Sequence, residues 1–255
     1  MILKKLISVM SVFAIIVSSF TTAVVSADEE MTPIACTQSA SYLTDGDGNV
    51  TQTIVNYAGK EDISNINWNI KSNSWGGVGV LEFTVPAAEA KRIKSATLTV
   101  SVHNGSSRSG GRTYDIYPAD ITINADTTAS EIKAISLDKS MYQAEGVKQG
   151  ETRTDQISTE TIREYVKGKV KADVESKVQF AFSNSSQTLD IDPKTATLAL
   201  TMYDGGVALD KNELILSTSG EPQRLTYSIF GEGINDGDLV WISENEDIAT
   251  VDDTG

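Results

Sequence analysis

The sequence is poor in the residues that most often build catalytic and metal sites, since its 255 residues include one cysteine, Cys36, and one histidine, His103. A single cysteine cannot form an internal disulfide, so the packing of apolar side chains must hold the folded domains together. One histidine and one cysteine fall short of the three or four ligands of a usual zinc site. No serine lies in a nucleophile-elbow motif that could use His103 as its base. We therefore expect residues 1–255 to contain no enzyme active site.

Basic residues are also scarce, because 21 lysines and arginines face 35 aspartates and glutamates, for a net charge of −14. A chain this acidic repels the phosphates of nucleic acids and the surfaces of anionic membranes. The composition thus argues against nucleic acid as a partner and leaves many carboxylates that could bind calcium.

Long apolar runs are missing except at the N-terminus. Residues 6–25 carry no charge, follow Lys4 and Lys5, and lead into small residues and three acids. This order predicts a signal peptide over residues 1–27, and its removal would lower the net charge to −16. We expect a secreted or cell-surface protein without membrane insertion. One alternative is a transmembrane anchor, because the run is nearly long enough to span a bilayer. Another is lipidation of Cys36.

Beyond residue 31, apolar and hydroxyl-bearing residues alternate in short runs. In residues 92–103 four alternate positions are apolar, with serine or threonine between them, and residues 195–203 repeat this scheme. Two further runs are apolar at every second position, at Leu81, Phe83, Val85, Val178, Phe180 and Phe182. One apolar and one hydroxyl-rich face per strand is typical of an antiparallel sandwich. We predict an all-β fold, with a jelly-roll-like β-sandwich over residues 31–203.

One segment departs from this alternation. In residues 161–172 apolar residues recur at helical spacing, and Thr161 to Glu164 fits a capping box. The pattern predicts one short helix that closes an end of the sandwich. We expect its basic side chains to be solvated.

A second unit is predicted after the sandwich. Residues 204–206, Asp-Gly-Gly, form a predicted linker, and a new series of strand-like runs begins at residue 207. The stretch 207–255 is too short to bury an adequate core without a disulfide. We therefore expect it to be the first part of a truncated domain.

Two stretches of this second unit resemble a known family. Val240-Trp241-Ile242-Ser243, followed by Ile248-Ala249-Thr250-Val251-Asp252, resembles the signature of bacterial immunoglobulin-like domains of group 2. The run from Leu209 to Leu216 resembles the opening strand of that family. The resemblance implies an immunoglobulin-like sandwich that serves as a stalk or adhesive module without catalysis. It also implies that Trp241 is a core residue.

The first unit loosely resembles another family. Three strand-like runs carry the resemblance, at residues 80–86, 93–100 and 196–203. They are similar to the carbohydrate-binding jelly-roll modules of the DNRLRE type. The resemblance implies binding of a glycan or a cell-surface polysaccharide.

Aromatic and amide side chains cluster in two stretches of the first unit. Sugar sites use flat aromatic faces oriented by a few amides, carboxylates or arginines. Residues 65–75 and 112–117 have this composition. Our candidate ligand-binding residues are Trp75, Asn73, Arg112 and Tyr114. The alternative is that both tryptophans of residues 65–75 are core residues. Tyr114 and Tyr117 have opposite parity, so one of them should face outward.

Two acidic groups suggest calcium. Asp190 and Asp192 flank Ile191 and would point to one side of a strand, where they could hold a structural calcium ion. Residues 45–49, Asp-Gly-Asp-Gly-Asn, begin like a calcium loop but lack its later glycine and glutamate. We interpret residues 45–49 as a hairpin turn. No other cofactor is predicted.

From the sequence, we interpret the chain as a non-catalytic extracellular module that binds carbohydrate or a cell surface. It would form the N-terminal part of a larger surface or polysaccharide-degrading protein. One alternative is a structural spacer or adhesin segment without a sugar site. Another is an enzyme whose catalytic domain lies beyond residue 255. Glycoside hydrolysis needs two carboxylates about 5–10 Å apart, and no spacing in the sequence selects such a pair.

Overall fold

The computed structural model describes residues 29–45, 47–58, 77–105, 110–183, 189–209 and 223–231, together with 241, 243, 246 and 250–252. The predicted signal peptide lies outside these residues. Contacts divide the chain between Met202 and Tyr203, so that Glu29–Met202 forms one unit and the residues from Tyr203 onward belong to another. Within these ranges the structure is mostly β-strand, and every strand pair is antiparallel. The predicted all-β fold is confirmed.

The described part of the first unit contains eleven strands and two α-helices. The strands are β1 (Glu29–Glu30), β2 (Ile34–Thr44), β3 (Val50–Asn56), β4 (Gly77–Val85), β5 (Ile93–Asn104), β6 (Asp115–Ala119), β7 (Tyr142–Gln143), β8 (Thr152–Ile157), β9 (Ser176–Ser183), β10 (Leu189–Ile191) and β11 (Thr197–Met202). The helices are α1 (Ala129–Lys133) and α2 (Glu160–Lys169).

These strands form two layers that share one strand. In the larger sheet the order is β3-β2-β4-β9-β6-β7. In the smaller sheet β5 is central, with β8 on one edge and β11 and β10 along the other. The start of β2 pairs with β11, whereas from Cys36 onward β2 pairs with β4. Because β2 passes from one sheet to the other, the two layers are continuous along this side.

The main core lies between the two sheets, where the sequence predicted it. The predicted inward residues of β4, β5, β9 and β11 are 0–4% exposed and belong to one cluster. Phe83 and Phe180 from neighbouring strands meet edge to face, with ring centroids 6.0 Å apart. Burial of these side chains is the dominant force that holds the layers together.

The outer face of the larger sheet is also buried, which the alternation did not predict. Val80 on β4 and its partner Ala181 on β9 are both 0% exposed on this face. They belong to a second apolar cluster with Ile123 and with Ile132 of α1. The segment 119–137 therefore covers the larger sheet. The expectation of one apolar and one hydroxyl-rich face holds for β5 and β11 but is wrong for β4 and β9.

The predicted helix exists, but it begins earlier than expected. It is α2, and its N-cap is Thr159, whose hydroxyl accepts a hydrogen bond from the Ile162 amide at 3.2 Å. Thr161 therefore lies inside the helix and does not cap it. Ile162 and Val166 are buried, and the helix packs against β5 and β9. Its basic side chains are paired with acids, Arg163 with Glu160 among them.

The described part of the second unit is a two-stranded ribbon. Strand β12 (Gly205–Leu209) pairs with β13 (Tyr227–Gly231) in antiparallel register. Residues 205 and 206, assigned above to a linker, are extended in β12. A Cβ atom at Gly206 would lie 2.8 Å from the Phe230 ring, so a larger residue there would force the ring to move. Trp241 packs edge to face on Tyr227 at a centroid distance of 5.9 Å. The immunoglobulin-like assignment stays a prediction.

Candidate functional site

The structure locates two of the four predicted sugar-binding residues. Trp75 and Asn73 lie outside the described residues. Tyr114 is fully buried at 0% exposure, and its hydroxyl donates to Asp155 Oδ2 at 2.6 Å. A fully buried ring has no accessible face for stacking on a sugar, so Tyr114 occupies a core position in this structure. Tyr117, of opposite parity, is the more exposed of the pair.

Arg112 lies two residues before Tyr114 and forms an isolated β-bridge with Val147. Its amide donates to the Val147 carbonyl at 2.9 Å and its carbonyl accepts from the Val147 amide at 2.7 Å. The neighbouring backbones approach so closely that a side chain on Gly111 would lie 3.1 Å from Gly146 Cα. The Arg112 side chain is half-buried in this packed region.

An ion pair on β8 contacts both the Tyr114 hydroxyl and the backbone of Glu145. Arg153 contacts Asp155 through Nε at 2.6 Å and through Nη2 at 2.9 Å, which is a bidentate ion pair. Arg153 Nη2 also donates to the Glu145 carbonyl at 3.1 Å. Burial and the hydrogen bond to Asp155 raise the pKa of Tyr114, and the bond to Asp155 raises that of Arg153. Inward-pointing charges of this kind also discourage other strands from pairing with an edge.

The outer face of the smaller sheet is open. Eleven of its outward positions are half or fully exposed and uncharged, whereas Glu30, His103 and Asp190, at the margins of the same sheet, carry titratable side chains. Eight of the eleven carry a hydroxyl group. We call this surface the hydroxyl face, and it consists of Ala35, Ser95, Thr97, Thr99, Ser101, Thr152, Thr154, Gln156, Thr197, Ala199 and Thr201.

Rows of the hydroxyl face cross the sheet in register. Thr99 lies between Thr197 on β11 and Gln156 on β8. Farther along β5, the Ser101 and Thr154 hydroxyls lie 3.0 Å apart. Acidic residues occur at the margins, where Glu30 pairs with Thr201. The interior of the face is therefore a polar but uncharged surface.

The predicted calcium ligands lie at one end of this sheet. Asp190 on β10 pairs with His103, whose Nδ1 lies 2.9 Å from the Thr152 hydroxyl. Asp192 caps a turn of 3-10 helix and accepts from the Lys194 amide at 3.0 Å. Among the described residues no three histidine, cysteine or acidic side chains form a group that could hold a metal ion. Calcium binding by this pair stays a prediction.

The loop at residues 45–49 is the predicted hairpin turn. It joins β2 to β3, and both carboxylate oxygens of Asp45 accept hydrogen bonds within the loop, from the amides of Asp47 and Asn49 and the Asn49 side chain. These bonds lower the pKa of Asp45. The carboxylate therefore stabilises the turn.

Sequence reasoning missed a carboxylate buried under the covering segment. Glu82 on β4 is 0% exposed and accepts from the Gln38 and Gln179 side-chain amides, each at 2.6 Å. Gln179 also bonds the backbone of Ile121, which belongs to the cover. Lys177 lies 3.0 Å from Glu82 and reaches solvent. An acid in the otherwise apolar run of residues 78–85 was the available signal.

Cys36 is poorly suited to nucleophilic chemistry. Its thiol donates to the Gln38 carbonyl at 3.2 Å, and burial raises its pKa to about 12. The thiolate is the reactive form, so Cys36 stays protonated and unreactive at neutral pH.

No helix in the described part of the chain is long and apolar enough to cross a membrane. The sequence matches no protein-family model, and a search of the curated proteins finds no match.

Proposed function

We propose that the first unit is a non-catalytic extracellular module that attaches a larger surface or polysaccharide-degrading protein to carbohydrate. The observation that carries this proposal is the hydroxyl face. It is a broad polar surface without charge, in a chain whose net charge is −14. Sugars offer the same hydrogen-bonding groups to such a surface and bring no charge that would need a partner.

The hydroxyl face contains no charged residue, and this absence bears on the kind of partner that it could bind. Soluble proteins are designed with about 25–35% charged residues on their surfaces, whereas the charged residues of this sheet face, Glu30 and Asp190, lie at its margins. A solvated surface without a partner gains solubility from such charges, and here the outer margins have them. Binding to a neutral partner favours their absence, because each charge in the contact would lose its hydration.

Three of the described carboxylates support a non-catalytic role. Asp155 is held by Arg153 and Tyr114, Glu82 by two glutamines, and Asp45 by its own turn. A glycosidase needs an accessible pair on the two sides of a sugar. Each of these three carboxylates instead accepts hydrogen bonds that hold a strand, a turn or a covering segment.

The predicted aromatic site is the second place where sugar could bind. Trp75 and Asn73 precede β4 in the sequence, and Arg112 forms a β-bridge with Val147. If Trp75 stacks on a sugar ring, its loss should remove binding without affecting stability. We keep Trp75 in the test for this reason.

The test is retention of the mature chain on a glycan array and on insoluble polysaccharides. We expect retention on at least one neutral glycan. Trp75→Ala and Thr99→Glu then separate the aromatic site from the hydroxyl face, with thermal unfolding as the check on folding. Failure to bind any glycan would contradict the proposal and favour the structural spacer. Hydrolysis of a bound glycan would contradict the non-catalytic role.

A further inference from the structure

We propose that the hydroxyl face binds the ordered surface of a packed, uncharged polysaccharide and does not bind single soluble sugar chains. This inference rests on the proposed function and names the substrate class and the surface that contacts it. Three properties of the face carry the inference: its regular spacing, its lack of aromatic platforms and its charge.

The spacing follows from the pairing of the strands. Neighbouring strands lie about 4.8 Å apart, and alternate residues along one strand lie about 6.7 Å apart. Thr197, Thr99 and Gln156 form one row across three strands, and Ser101 with Thr154 belongs to the next row. The hydroxyls are therefore arranged as a two-dimensional lattice. A partner must present groups over an area in order to use it.

The side chains of the lattice have little freedom. Threonine is branched at Cβ and has restricted rotamers in a strand. The core residues that alternate with the lattice on β5, Leu98 and Val100, are both 0% exposed and hold the strand from below. The 3.0 Å contact between Ser101 and Thr154 further fixes two hydroxyls. The face is therefore rigid before any partner binds.

The chemistry of the lattice disfavours a single flexible chain. A neutral hydrogen bond that replaces bonds to water contributes only about 0.5–1.5 kcal/mol. None of the eleven residues is aromatic, so stacking cannot add to this. A soluble oligosaccharide would lose its own conformational freedom at each contact. In a packed polysaccharide the chains are already ordered. Many weak contacts can therefore form while the translational and rotational entropy of association is lost only once.

Charge selects a neutral partner. The face itself is uncharged, but Glu30 and Asp190 lie at its margins and the whole chain is acidic. An anionic polysaccharide would be repelled at the margins, and a cationic one would find no acid within the lattice. A second copy of this chain would bring the same acidic margins against each other.

The experiment uses the mature full chain and three insoluble probes: microcrystalline cellulose, chitin and insoluble β-1,3-glucan. Soluble oligosaccharides from each polymer are tested by calorimetry. The variant Thr99→Glu with Thr154→Glu places two charges in the lattice. Thr53→Glu is the matched control, because Thr53 is an exposed strand residue of β3 in the larger sheet and lies outside the face. We expect retention on at least one insoluble probe, a loss of at least tenfold in the double variant, and no change in the control.

The other outcomes would overturn the inference in distinguishable ways. Equal binding of the soluble oligosaccharides, or retention that the double variant leaves unchanged, would refute the lattice and leave glycan attachment standing. Retention on none of the probes or array glycans would refute both proposals. If sedimentation shows a dimer that the double variant dissociates, the face is an interface between copies and the inference is wrong.

Discussion

The two sheets of the first unit treat their outer faces in opposite ways. On the larger sheet, Val80 and Ala181 are completely buried beneath the segment 119–137, whereas Thr99 and Ala199 on the smaller sheet are partly exposed. Strands buried on both faces hold a sheet in place, and a sheet with one open face can contact a partner. The larger sheet therefore contributes to a core on both of its faces, whereas our proposal places the contact with a ligand on the smaller sheet.

The strongest test of this difference introduces the same charge on each face. Ala181→Glu would bury a carboxylate without a partner and should destabilise the fold by about 3–5 kcal/mol. Ala199→Glu should change the free energy of unfolding by about 0.5 kcal/mol, since that position is partly exposed and no segment covers it. Urea unfolding measures both values. Equal effects would mean that the two outer faces do not differ.

Glu82 tests how the cover is fixed to the larger sheet. Glu82→Ala should destabilise the fold by about 2–4 kcal/mol, because two buried glutamine amides lose their acceptor. Glu82→Gln keeps one acceptor oxygen and should cost less than the alanine variant. The midpoints of urea unfolding give the comparison. A stable Glu82→Ala variant would show that apolar contacts alone hold the cover.

Tyr114 tests whether the contacts among Tyr114, Arg153 and Asp155 stabilise the fold or bind a ligand. Tyr114→Phe removes the 2.6 Å bond to Asp155, which Arg153 still satisfies, so we expect a loss of about 1–2 kcal/mol. Glycan retention should be unchanged, because the Tyr114 ring is buried. A stable variant that loses glycan binding would restore Tyr114 as a ligand-binding residue.

The sequence predicted the smaller sheet better than the larger one, for a physical reason. In β5 and β11 one face is solvated, so apolar and hydroxyl-bearing residues alternate and the buried positions can be assigned. In β4 both faces are buried, so residues 78–85 are mostly apolar and show no alternation. The sequence therefore does not reveal which of these residues belong to the second apolar cluster. Helix α1 has only five residues, which are too few for a repeated helical spacing of apolar residues to be recognised in the sequence.

The polar groups could not be predicted, because their members are far apart in the chain. Tyr114 and Asp155 are 41 residues apart, and Glu82 and Gln179 are 97 apart. Only the pairing of strands brings them together. The parity of Tyr114 and Tyr117 was informative, but it could not decide which of the two rings faced the core.

The smallest predicted effect concerns the cap of the covering helix α1. The Thr128 amide and hydroxyl bond to the Glu131 carboxylate and lower its pKa. A depressed folded pKa means that this stabilisation is present above the unfolded value of about 4.3 and is lost as the pH falls through the folded value. Amide exchange at Ile132 should therefore accelerate below about pH 4, after correction for intrinsic rates, whereas exchange at Val100 should not. Glu131→Gln should remove that pH dependence. Equal acceleration at both amides would mean that acid loosens the two sheets together and that the cover has no separate stability.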